Sequence, residues 1–131
     1  MKTIILFLIA VTTTLLINGC DFLNNLRSYD IVLYNADYDK YVTSVYVKDN
    51  FGYNKWSKNK IYNNINPYED YTIRLTEGTY DFKAITEDDY YSYEIYLTSV
   101  TINTNIKLDI CFDCYYGKDN VKIIKIPKKK S

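Results

Sequence analysis

Histidine is absent from the 131 residues, and arginine occurs only twice, at Arg27 and Arg74. The first absence removes Ser-His-Asp and Cys-His dyads and every imidazole metal site. Any acid–base catalyst would have to be Asp, Glu, Lys, Tyr or Cys. Two scattered arginines make no clustered bidentate phosphate clamp. Charge of one sign is also missing, with 16 basic residues against 16 acidic ones. No nucleic-acid partner is expected, because such binders are usually strongly basic. No cofactor or metal is expected either. What is plentiful is tyrosine, with 16 residues. Its flat ring packs on a pleated surface while its hydroxyl still reaches water, so it favours strands. The length suits one domain.

The N-terminus also lacks a run long enough to span a membrane. Residues 4–17 are uncharged and apolar, apart from Thr12, Thr13 and Thr14, and follow Met1-Lys2-Thr3. A helix of that length rises about 21 Å, short of the ~30 Å bilayer core. It suits the apolar region of a signal peptide, with a buried core segment as the alternative. Ile17-Asn18-Gly19-Cys20 then resembles a bacterial lipobox: an aliphatic residue, a tolerant position, a small residue and the cysteine. The resemblance implies cleavage before Cys20 and diacylglyceryl transfer to its thiol. Two or more acyl chains at ~0.8 kcal/mol per buried methylene anchor a protein stably. The expected place is the bacterial cell envelope, outside the cytoplasm, with the membrane as one partner. Asp21 after Cys20 favours inner-membrane retention in some Gram-negative lineages, which leaves the leaflet open. Of the three cysteines, lipidation of Cys20 leaves one even pair, Cys111 and Cys114.

The expected organisation is a signal segment over 1–19, a tether over 20–27, a β-domain over 28–126 and a basic tail over 127–131. Strands are expected over residues 28–35, 41–48, 71–76, 80–84, 90–97 and 121–126, with a short edge strand over 61–65. Tyr71-Ile73-Leu75 alternates with Thr72-Arg74-Thr76, the period of a half-buried strand. Residues 100–102 and 106–110 read as a hairpin across Asn103-Thr104-Asn105. Residues 49–60 form the longest polar connection and hold the only tryptophan, Trp56. Trp56, Leu75, Tyr80 and Phe82 are expected in the core. No segment has helical periodicity. About seven or eight short strands with turn signals predict an all-β fold, a single antiparallel sandwich, with a small barrel second.

Residues 64–84, with Asn66-Pro67, an alternating strand, then Gly78-Thr79-Tyr80-Asp81 and a further strand, carry a second resemblance. The stretch is similar to one recurring in small β-sandwich domains of bacterial lipoproteins and secreted proteins. It covers roughly residues 45–108. Tyr68 stands where such domains usually have glycine, so the turn after Pro67 is expected to differ. The resemblance implies a fold and no activity.

Cys111-Phe112-Asp113-Cys114 is the sharpest local motif. A structural disulfide, a redox-active pair, half of a zinc site and free thiols compete for it. A helix beginning near Cys111 would favour redox chemistry, and a β-turn the structural role. Glu87-Asp88-Asp89 is either a solvated turn or a Ca²⁺ site. Lys128-Lys129-Lys130 is either a solubilising tail or a contact for anionic lipid. Tyr90, Tyr91, Tyr93 and Tyr96 either pack within a sheet or present a row that stacks on sugars or grips a protein. The expected function is a non-catalytic, membrane-anchored module that binds an envelope or host protein or a glycan, or is architectural. The alternative is a thiol-disulfide protein using Cys111 and Cys114.

Overall fold

A computed structural model describes residues 26–52, 54–115 and 121–128. The expected signal segment, Cys20 and most of the tether lie outside the described residues, as do Lys129 and Lys130. Among the described residues the chain is all-β, with seven strands in two sheets. These are β1 (Ser28–Asn35), β2 (Tyr41–Asp49), β3 (Asp70–Thr76), β4 (Gly78–Glu87), β5 (Tyr91–Ile102), β6 (Ile106–Ile110) and β7 (Val121–Pro127). One sheet has the order β3-β1-β6 and the other β2-β4-β5-β7. The sandwich is therefore as expected, but it is not wholly antiparallel: β1 and β6 pair in parallel, from Ile31 opposite Ile106 to Asn35 opposite Ile110.

That parallel pair exposes a second departure. The expected hairpin across Asn103-Thr104-Asn105 does not form. β5 ends in the four-stranded sheet, and the chain crosses at these residues to place β6 in the other sheet. Nor is 61–65 a strand. It touches the sheet through one bridge, Val42 to Ile65, although Ile61 and Ile65 are buried.

Alternation builds the core. Ile31, Leu33, Ile73, Leu75 and Ile110 face inward from one sheet, and Val45, Val47, Phe82, Ala84 and Ile95 from the other. Phe82 is 2% exposed, in line with expectation. Tyr80 is buried too, and its hydroxyl donates to the Thr76 carbonyl at 2.8 Å. This is a tyrosine corner, the bond that fixes a chain reversal between strands of a sandwich. Gly78, two residues before Tyr80, has φ 159°, a backbone conformation that side-chain-bearing residues rarely adopt.

The turn after Pro67 keeps the glycine-type backbone. Tyr68 has φ 62°, and the Glu69 amide donates to the Asn66 carbonyl at 3.0 Å. With proline second and a positive φ third, this is a type II turn. The turn was expected to differ because Tyr68 is not glycine, yet Tyr68 adopts the left-handed backbone that glycine favours.

Candidate functional site: an aromatic and cationic face around the β2 edge

β2 is an edge strand, and the connection after it folds back along that edge. Ser57 N donates to the Val47 carbonyl and Lys60 N to the Val45 carbonyl, both at 2.8 Å. Side chains return the bonds: Val47 N donates to Ser57 Oγ and Val45 N to Asn59 Oδ1, each at 3.0 Å. The connection therefore satisfies edge groups that would otherwise invite another strand.

This binding alternates the side chains of the connection. Lys55, Ser57 and Lys60 line a cleft of about 440 Å³ between β2 and β3, whose apolar lining is Val47, Leu75 and Tyr80. Trp56 instead lies against the outer face of the four-stranded sheet. It is half-buried there and not in the core, contrary to the sequence-based expectation. Its ring meets Tyr96 edge-on at 6.0 Å between centroids. The physical reason is its neighbourhood: a tryptophan between Lys55 and Ser57, on a connection that runs along an edge, has the open sheet face as its nearest apolar surface.

The outer face is organised by register. Tyr46, Lys83, Tyr96 and Lys122 lie opposite one another across four strands. The Lys83 ammonium stands 4.8 Å from the Tyr46 ring centre and 4.9 Å from that of Trp56, and Lys48 stands 5.0 Å from Trp56. Such cation–π contacts contribute about 0.5–1 kcal/mol at exposed sites. The Tyr96 hydroxyl donates to Glu94 at 2.6 Å. That bond to a carboxylate, with burial, pushes the Tyr96 pKa up to about 12. Asp81 sits at a bulge between β4 and β5 and accepts from Ser99 N at 2.9 Å and Asn50 Nδ2 at 3.2 Å. Burial alone would raise its pKa, but these bonds and the Lys48 ammonium outweigh it and hold the carboxyl below its ordinary value.

The cysteine motif lies elsewhere, beyond β6. The sulfurs of Cys111 and Cys114 are at disulfide-bonding distance, with Cα atoms 5.2 Å apart. Where a turn was expected, Phe112–Tyr115 forms one helical turn, α1. Four residues are too few for a hydrophobic period, so composition gave no signal. Asp37, buried, accepts from Phe112 N through both carboxylate oxygens at 3.0 and 3.2 Å and so holds the motif against the β1–β2 connection. Asn35 ties that connection down by donating to the carbonyls of Lys40 and Ile65. Lys40 is also buried, paired with Asp39 at 3.0 Å and lying over the Phe112 and Tyr93 rings. Cys111 is buried and Cys114 exposed.

The other candidates separate. The Asp88 carboxylate is occupied internally, accepting from Tyr90 N, Tyr91 N and the Tyr93 hydroxyl. Among the described residues no three His, Cys, Asp or Glu side chains converge to hold a metal. Lys128 pairs with Glu87 at 3.2 Å. The tyrosine row divides: Tyr93 is buried, Tyr91 lies under Lys125, Tyr90 is exposed before β5, and Tyr96 alone joins the outer face. Sequence reading missed Tyr46, Lys48, Lys55, Lys60 and Lys83 as members of one surface. Three lysines in the six residues 55–60, around the only tryptophan, were the available signal.

No family model matches this chain, and no curated protein or solved structure matches it either.

Proposed function

We propose that this chain is a membrane-anchored envelope lipoprotein whose β-sandwich is a non-catalytic glycan-binding module. The observation that carries the binding part is the face of Trp56, Tyr46 and Tyr96, fixed across the register of β2, β4 and β5. The apolar C–H face of a sugar ring packs on such rings, while hydroxyls at the rim reach water or polar neighbours. Tyr46 and Tyr96 stand on strands and Trp56 on a connection bonded to β2, so these rings lose little freedom on binding and the surface is pre-organised. The lipobox-like Ile17-Asn18-Gly19-Cys20 supports the anchor. The test is co-sedimentation of the detergent-solubilised full-length protein with a panel of insoluble polysaccharides. Retention that Trp56→Ala abolishes supports the proposal. Retention unchanged by Trp56→Ala, or no retention on any polysaccharide, contradicts it.

A second reading is thiol-disulfide exchange at Cys111 and Cys114, and α1 favours it, since a helical turn after a strand is where such pairs sit. In this arrangement the exposed Cys114 sulfur receives an attacking thiolate, and the buried Cys111 sulfur leaves. One turn carries little of a helix macrodipole to stabilise that thiolate. We therefore assign the pair a structural role, oxidised in the exported protein. Rapid turnover in an insulin-reduction assay with dithiothreitol would reverse that assignment.

A further inference from the structure

We propose that the glycan is a polyanion, held by Lys48 and Lys83 beside Trp56 and by Lys55, Lys60 and Arg74 in the cleft around the β2 edge. The inference rests on the glycan-binding reading and names its ligand class. Three observations converge.

First, the cations stand where a stacked sugar would place its substituents. Lys48 and Lys83 lie 5.0 and 4.9 Å from the Trp56 ring centre, so a ring packed there brings a carboxylate or sulfate within reach of an ammonium. Lys48 is shared with Asp81 at 3.4 Å, whereas Lys83 makes no ion pair with any described residue, so an uncharged sugar would displace Lys83 from the aromatic ring with nothing to pair with it. Second, the same connection continues the charge around the edge. Residues 50–60 hold Lys55, Lys58 and Lys60 and no acidic residue. The cleft lining contains Lys55, Lys60 and Arg74 against one carboxylate, Asp49. Asp49 accepts from Phe51 N at 2.9 Å, and Arg74 is shared with Asp30 at 3.5 Å. Lys55 and Lys60 make no ion pair with any described residue. Third, the backbone carrying these cations is fixed by the bonds from Ser57, Asn59 and Lys60 to β2. A chain whose net charge is zero has therefore concentrated cations on one rigid edge beside its only tryptophan. Local clustering, and not net charge, sets the potential that a bound ligand meets.

The experiment measures the affinity of the detergent-solubilised full-length protein for three probes: polygalacturonate, dextran and a single-stranded oligonucleotide. Polygalacturonate should bind saturably and weaken as salt rises, because exposed charges are screened. Dextran should bind at least about tenfold more weakly, and the double variant Lys55→Gln, Lys60→Gln should lose about fivefold for polygalacturonate. Both side chains are exposed, so its urea midpoint should not move. Equal affinity for dextran would overturn the polyanion inference and leave the glycan reading standing. Unchanged polygalacturonate affinity in the double variant would overturn the role of the cleft. An oligonucleotide bound as tightly as polygalacturonate would overturn the sugar assignment, and no binding to either polysaccharide would overturn both readings.

Discussion

Tyr68 holds a left-handed backbone, φ 62°, at a turn position that glycine occupies without strain. Its side chain is 63% exposed and so contributes little burial in return. The cost of that conformation for a residue with a Cβ is about 1–2 kcal/mol, partly offset by the entropy glycine loses on folding. Tyr68→Gly should therefore stabilise the fold by roughly 0.5–1 kcal/mol, read as a higher urea midpoint; a lower midpoint would show that the Tyr68 ring makes a contact that outweighs the strain. Asp81 gives the pH dependence. Its pKa is depressed in the fold, so its stabilisation is present above the ordinary carboxylate pKa and is lost as pH falls through the depressed value. Asp88 adds in the same direction. The urea midpoint should fall on acidification below about pH 4, and Asp81→Asn should flatten that fall. A slope that the variant leaves unchanged would remove Asp81 from the acid transition.

At the scale of elements, legibility followed the length of the pattern. Tyr29, Ile31 and Leu33 alternate for long enough to give β1 its bounds, and the same holds for β3, where Ile73 and Leu75 point inward between exposed Thr72, Arg74 and Thr76. The crossing at Asn103-Thr104-Asn105 was illegible for a physical reason. Turn residues end a strand whether the next one pairs beside it or joins the opposite sheet, and the choice is made by β1, about seventy residues away in sequence. Of the candidate surface, Trp56 and Tyr96 were visible as residues, but their meeting depends on the edge bonds of Ser57 and Asn59, which no periodicity encodes. The Cys111-Cys114 element is short, so its closed loop should contribute only ~2 kcal/mol. Replacing both cysteines with serine should lower the unfolding free energy by about that much and leave the sheets folded. Full alkylation of the protein without prior reduction would show instead that no disulfide forms.

At the scale of the molecule, the described fold begins its first strand at Ser28, eight residues after Cys20. The proposed lipid anchor at Cys20 has a direct test. The Cys20→Ala variant should lose labelling by a fatty-acid probe that wild type acquires, and equal labelling of the two would refute the anchor. The proposed binding surface has a built-in reporter, because Trp56, the only tryptophan in the chain, is one of its rings. Its fluorescence, followed while the full-length protein is titrated with polygalacturonate, is the most direct measurement. A saturable change in emission, reversed by salt, is the expected result. Emission that stays constant while polygalacturonate demonstrably binds, or while no binding occurs, would contradict the assignment of this face.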